Sequence, residues 1–339
     1  MGEIEIRKAG CAGRITLTRP EALNALTYEM VLAIEQAIEA WAGDDDVAMI
    51  IIDALGERAF CSGGDIAKLY ETGRAGDFEW GRTFWRDEYR VNNRLATYPK
   101  PIAAFCQGFT MGGGVGISLH SSHRVVGNTT QIAMPECGIG LVPDVGGSLL
   151  LALAPANTGV YLALTAARMG AADAIWAGFA DHYIQEGGWP TLIAELELTG
   201  DPGLITKAAR QPPAGTLANL ADQTERLLAG RTLAEIRVAL QSDGSDFAAD
   251  MLKRMARNAP LSMAVIVEIM ARLNANPSVT VRDALDLEYL FTARSMQNGD
   301  FLEGIRAQII DKDRNPKWRH PWPADVPADD IDRMLTPVT

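Results

Sequence analysis

The sequence is short of the residues that most often announce chemistry. Its 339 residues include only four cysteines and four histidines. Cys11, Cys61, Cys106 and Cys137 stand apart with no C-x-x-C spacing, so zinc-site and disulfide readings both fail, which fits a reducing compartment. Lone cysteines of this kind read as small buried thiols. The histidines form no H-E-x-x-H pattern, and no metal is expected. No stretch nears the ~20 consecutive apolar residues of a membrane helix, so no membrane contact is expected. Met1 to Gly10 alternates Ile with Glu and Arg, which reads as a strand and not as a signal or transit peptide. The expected location is therefore the cytoplasm. Dense Lys/Arg runs are missing too, and the formal net charge is −12, which argues against a nucleic-acid partner.

What is present is the balance of an ordinary globular protein, 47% apolar and 22% charged. The length suits one large core, or a main domain with an appendage. Ile4 and Ile6, then Ile15 and Leu17, alternate with polar residues around a Gly10–Gly13 turn, a hairpin signal. Thr27 to Ala42 opens on an N-cap residue and carries apolar residues at helical spacing. Ala48–Ile52, Ile102–Cys106, Arg124–Val126 and Gln131–Ala133 read as buried strands. Helices are predicted over Phe78–Tyr98, stopped by Pro99 and Pro101, and over Gly112–His120. Beyond Gly146 helical patterns take over, at Gly146–Ala154, Thr158–Ala167 and Ala171–Ala177. After about Ile184 the chain becomes Ala/Leu/Glu-rich. An α/β core over 1–185 followed by a helical C-terminal region over 186–339 is expected.

Glycine gathers in three places: Cys61-Ser62-Gly63-Gly64-Asp65, Met111 to Gly116, and Asp144-Val145-Gly146-Gly147. The first two follow strands and precede helical patterns, where glycine permits close backbone approach and leaves N–H groups pointing outward. Two such groups converging on one point would make an oxyanion hole. Taken singly, either of these two stretches reads rather as a tight turn or a close helix contact. Neither nucleotide-binding glycine pattern, G-x-G-x-x-G or G-x-x-x-x-G-K-[ST], is present. A G-x-S-x-G elbow is missing as well, since Gly116-Ile117-Ser118-Leu119-His120 lacks its closing glycine, so serine-hydrolase chemistry is not supported.

Glu136 and Asp144 are eight residues apart with Gly138, Gly140 and Pro143 between them, so they do not share one regular helix. They are candidates for paired acid–base work. Pro135-Glu136 and Pro143-Asp144 also read as helix starts, where an acid complements the dipole.

In this order the stretches resemble the crotonase (enoyl-coenzyme A hydratase/isomerase) superfamily. The likeness runs through Leu17-Thr18-Arg19-Pro20, Asn24-Ala25-Leu26-Thr27, Phe60 to Ile66 and Gly108 to Gly116. It is nearest to the 3-hydroxyisobutyryl-coenzyme A hydrolase branch, on Phe84 to Tyr89, Met111 to Gly116, Ala133 to Glu136, Gly140 to Gly147, Glu303 to Arg306 and Asp311 to Trp318.

The resemblance implies a crotonase-like fold of repeated ββα turns. It implies an acyl-coenzyme A substrate, with coenzyme A as part of that substrate and no separate cofactor. The oxyanion hole would fall on the backbone N–H groups of Gly64 and Gly113. Ser62, Gly63 and Gly64 would line the thioester path, Glu88 would hold the acyl end, and Arg58 would stand near the nucleotide phosphates. Glu136 and Asp144 would be the reacting acids. Hydratases of the family use two glutamates; the first would fall at Gly116, which carries no acid, and this favours hydrolysis. An enoyl-coenzyme A hydratase or isomerase, and a non-catalytic acyl-coenzyme A binder, are the alternatives. Relatives often assemble as trimers or hexamers, which leaves a homo-oligomer open.

Overall fold

The structure is a computed structural model that describes residues 2–322 and 326–337. By its internal contacts the chain forms two compact units, each built from three separated stretches. The first takes Met1–Asp65, Asp87–Ala133 and Arg168–Ala218, and the second Ile66–Arg86, Met134–Ala167 and Asn219–Thr339.

The first unit holds the strands β1 (Ile4–Ala9), β2 (Ala12–Leu17), β3 (Met49–Ala54), β4 (Ala59–Cys61), β5 (Ile102–Cys106), β6 (Phe109–Met111), β7 (His123–Val126), β8 (Gln131–Ala133) and β9 (His182–Tyr183). The expected hairpin is there: β1 and β2 pair antiparallel with Ile6 opposite Ile15. From β2 onward pairing is parallel, giving a six-stranded sheet in the order β1-β2-β3-β5-β7-β9. Strands β4, β6 and β8 make a second, parallel sheet of three. Along the chain, β3–β4, β5–β6 and β7–β8 are each followed by a helical segment, at Ile66–Arg74, Gly113–Ser118 and Glu136–Ile139. This is the repeated ββα turn that the resemblance implies.

Parallel strands are buried on both faces, which is why β3 and β5 read as unbroken apolar runs. One face of the large sheet presents Met49, Ile51, Ala103, Phe105 and Val125 to Trp189, Leu192, Ile193 and Leu196 of the helix Trp189–Thr199. Phe105 and Trp189 meet edge to face at 5.4 Å, and the Trp189 indole N–H donates to the Ile184 carbonyl at 2.9 Å. The helix Tyr28–Ala42 starts where expected, with the Thr27 hydroxyl accepting from Met30 N–H. The helix Phe78–Ala96 ends just ahead of Pro99.

The second unit is helical. Its longest elements are Leu233–Asp243, Pro260–Asn274 and Val281–Asn298. Pro260–Asn274 is apolar nearly all round, and Met263, Val265, Ile266 and Ile269 are fully buried. A capping box, Thr280 with Asp283, fixes the start of Val281–Asn298. Among the described residues no single helix is long and apolar enough to cross a membrane.

The turn ahead of Tyr28–Ala42 anchors the first glycine loop. Asn24 is fully buried with φ of +54°, and its side-chain amide donates to the carbonyls of Leu55 and Ala59 at 2.9 Å each. Its Oδ1 accepts from Arg19 N–H at 2.9 Å. The backbone so fixed then grips the loop: Leu26 N–H donates to Gly63 O at 2.9 Å, Asp65 N–H to Leu26 O at 2.7 Å, and Ser62 N–H to Leu23 O at 3.0 Å. Asn24→Ala takes the donor from the buried Ala59 carbonyl and the part-buried Leu55 carbonyl, and it puts a Cβ residue in the left-handed region without asparagine's local bonding. It should lower stability by about 3 kcal/mol, read as an earlier urea midpoint; an unchanged midpoint would remove the anchor from this account.

Candidate active site

In the first unit, β4 runs into the Ser62–Asp65 loop, and β6 runs through Gly112 into the helix Gly113–Ser118. Gly63 has φ of +114°, backbone that side-chain-bearing residues rarely adopt. Gly113 is required for space instead. A Cβ there would lie 2.8 Å from Glu88 Oε1, 3.3 Å from Gly64 N and 3.3 Å from Leu26 Cδ1. Gly64, Gly113 and Glu88, named from separate parts of the sequence, therefore meet at one point. Leu26 occupies the Gly63 carbonyl and the Asp65 N–H, but not the amide between them. Among the described residues neither Gly64 N–H nor Gly113 N–H, the first amide of its helix, finds an acceptor. Two unspent donors side by side can receive the charge that develops on a carbonyl oxygen.

Glu88 is buried at 3% exposure on the helix Phe78–Ala96. Ser62 is half-buried, with its backbone tied to Leu23. Arg58 is exposed in the turn from β3 to β4, and its carbonyl accepts from Phe109 N–H at 3.1 Å. Burial pushes the Cys61 thiol up to about 12, with the Glu88 charge adding to the effect, so Cys61 stays protonated and is no nucleophile at neutral pH. Cys61, Cys106 and Cys137 are the buried thiols expected; Cys11 is only half-buried.

The second unit holds the acids. Pro135 leads into the short helical turn Glu136–Ile139, and Glu136 is 4% exposed with its Oε2 lacking any hydrogen-bond partner. Asp144, also 4% exposed, sits in the loop before the helix Gly147–Leu153, and its carbonyl accepts from Gly147 N–H at 2.7 Å. The Glu136 carboxyl is raised well above the ordinary glutamate range. Burial is the main cause, and the charges of Asp144 and then Glu288 add to it. A raised carboxylate is a stronger base once ionised.

Sequence reasoning misses Glu288. It lies on Val281–Asn298, completely buried, and its carboxyl is pushed up to about 8 by burial and then by Asp144. A signal exists: Ala284, Leu285, Phe291 and Thr292 mark the buried face of that helix, and Glu288 interrupts it. Among the described residues no group of three or more His, Cys, Asp or Glu side chains is arranged to hold a metal ion.

The raised Glu136 has a consequence for stability. The folded protein keeps this proton at pH values where the unfolded chain, with its ordinary glutamate at about 4.3, has lost it. Folding stability from this group is therefore full below that value and falls as pH rises toward the folded value. Glu136→Gln cannot ionise and escapes the loss. Its melting temperature relative to the parent should climb steadily as pH is raised from about 4.5. A difference that stays flat with pH would mean Glu136 is not shifted.

Comparison with known proteins bears on the family. A family model described as enoyl-CoA hydratase/isomerase matches residues 12–335. A Xenopus tropicalis protein named 3-hydroxyisobutyryl-CoA hydrolase, mitochondrial, is 38% identical over 99% of this chain and 89% of its own. The Homo sapiens protein of that name is 36% identical over 96% and 85%. A solved structure described as an enoyl-CoA hydratase from Rhodobacter sphaeroides is 53% identical, covers 99% of this chain and 98% of its own, and superposes with a TM-score of 0.94. Another, described as a carnitinyl-CoA dehydratase from Mycobacterium thermoresistibile, is 36% identical, with 100% and 97% coverage and a TM-score of 0.94. The chain belongs to the enoyl-CoA hydratase/isomerase, or crotonase, family.

Proposed function

We propose that the chain hydrolyses a short branched 3-hydroxyacyl-CoA thioester, with 3-hydroxyisobutyryl-CoA giving 3-hydroxyisobutyrate and free coenzyme A. The observation that carries this reading is Gly116. By the family resemblance, the first of the two glutamates that hydratases use would fall at this position, so the pair that adds water across a double bond would be incomplete. Hydrolysis needs less: donors for the thioester oxygen, one carboxylate and access for water. The relatives named for this hydrolase, similar over nearly the whole chain, support the choice of acyl group.

In this reading the N–H groups of Gly64 and Gly113 receive the thioester oxygen as it becomes an oxyanion. Losing one such donor typically costs about 3 kcal/mol of barrier. Glu136 either takes a proton from water as it attacks the acyl carbon, or attacks that carbon itself to form a mixed anhydride. In both cases the carbon–sulfur bond breaks and coenzyme A leaves as a thiolate that takes up a proton; on the anhydride route a water then splits the acyl–Glu136 bond, freeing the acid and restoring the carboxylate. Asp144 orients water or the leaving group, and Glu88 holds the acyl hydroxyl. Only ionised Glu136 can do either task, so turnover should rise with pH through its raised titration.

The reading is tested by free-thiol release across a small acyl-CoA panel. The 3-hydroxyisobutyryl thioester should lead the panel, and Glu136→Gln should lose at least about a hundredfold in kcat with ligand binding kept. Near-normal turnover by that variant would overturn the assignment. Single-turnover hydrolysis in heavy-oxygen water separates the two routes, because direct water attack never labels the Glu136 carboxylate. A hydratase reading is favoured by the name given to the similar Rhodobacter sphaeroides protein. Loss of the double bond of crotonyl-CoA, without thiol release from the hydroxyacyl thioester, would establish it instead. Binding without turnover of any thioester would indicate a non-catalytic acyl-CoA carrier.

A further inference from the structure

Glu288 grips the loop that carries Asp144. Val145 and Gly146 both take left-handed backbone, with φ of +54° and +78°, and this turns the next amides inward. Glu288 meets them. Its Oε2 accepts from Gly146 N–H at 2.8 Å, and its Oε1 accepts from Ser148 N–H at 3.1 Å and from the Ser148 hydroxyl. The carboxyl thus spends both oxygens on one five-residue stretch, 144–148, and is completely buried while doing so.

We propose that Glu288 is a positioning residue for the reaction, its two carboxyl oxygens gripping Gly146 and Ser148 so that Asp144 is held where its charge acts on Glu136. The kinetic part of this proposal rests on the hydrolase reading; the geometric part does not. The grip does not need a charged partner. The charge of Asp144 bears on both glutamates, and that of Glu288 bears on Glu136. The buried residues of the packed helix Pro260–Asn274 include no ionisable group. On the neighbouring stretch of Phe78–Ala96, Arg82 is engaged by Ala293 O and Glu79, and Arg86 by Tyr289 and Glu79. Repulsion between two charges is mutual, so ionising either Glu136 or Glu288 makes ionising the other harder.

A glutamine cannot reproduce the grip. It offers one acceptor oxygen, and its amide group would face either Gly146 N–H or the Ser148 donors. The full chain is compared with Glu288→Gln, Glu288→Ala and Ser148→Ala by two readouts. The first is carboxyl-carbon NMR titration of glutamate-labelled protein. The parent should show a step near the value of about 8 expected for Glu288. In Glu288→Gln that step should vanish, and Glu136 should titrate at lower pH than the upper step of the parent. Ser148→Ala, a milder change that keeps both backbone bonds, should move the Glu288 step upward, because a donor to its ionised form is lost.

The second readout is kcat against pH with 3-hydroxyisobutyryl-CoA. Glu288→Gln should lose about tenfold or more in kcat, as for one charge-assisted hydrogen bond, with KM changed less than kcat. Its rise with pH should begin earlier than in the parent. An unchanged Glu136 titration together with parental kcat in both Glu288 variants would overturn the proposal. If the parent releases no thiol from any acyl-CoA, the hydrolase reading fails by itself, and the titration still decides whether Glu288 governs Glu136.

Discussion

Burying negative charge is the constraint around which the second unit is arranged. Glu136, Asp144 and Glu288 are each at most 4% exposed. A buried carboxylate without compensation neutralises or finds donors. The unit uses both remedies. Glu288 is surrounded by two backbone amides and a hydroxyl, yet its titration is still raised. Glu136 has one carboxyl oxygen without a donor, and burial, with the charges of Asp144 and Glu288, raises it. Like acids thus sit in unlike surroundings, the kind of difference that lets one of them act as a base.

The first unit addresses the opposite problem, holding backbone amides open. Within its sheets, strand pairing takes up backbone N–H groups until the strands end. Gly64 and Gly113 follow β4 and the β6 turn, where pairing has just stopped and a helix has not yet claimed the N–H groups. The loop that presents Gly64 is held by Leu23 and Leu26, and those by Asn24. Rigidity at the cradle is thus inherited from an asparagine with no chemistry of its own. Preorganised donors are useful because they need no reordering when charge appears.

Much of this is legible in the sequence, for identifiable reasons. The strands β3 and β5 are apolar on both faces, and the hairpin alternates, so periodicity alone marks them. Thr27 and Pro99 mark the helix ends they border. The glycine stretches are visible as stretches, but each read alone is ambiguous. Only their order along the chain points to one family. What cannot be read is proximity between distant segments. Glu88 beside Gly113, and Glu288 beside the Asp144 loop, are contacts between residues far apart in the chain that no spacing rule predicts. Glu288 leaves only a faint mark, an acid set on an otherwise buried helix face. Nor does the pattern say that Trp189–Thr199, one helix among many in its composition, covers the large sheet.

The division of the chain has a bearing on how the protein is made. Each unit draws on three stretches, and the first is complete only when Ala218 has been synthesised, the second only with the final stretch from Asn219. A ribosome delivering this polypeptide therefore exposes Met49–Ala54 and Ile102–Cys106 well before Trp189–Thr199 exists to shield them. Apolar parallel strands waiting uncovered are prone to self-association. The apolar faces of these strands thus stay uncovered until the helix that packs on them has been synthesised.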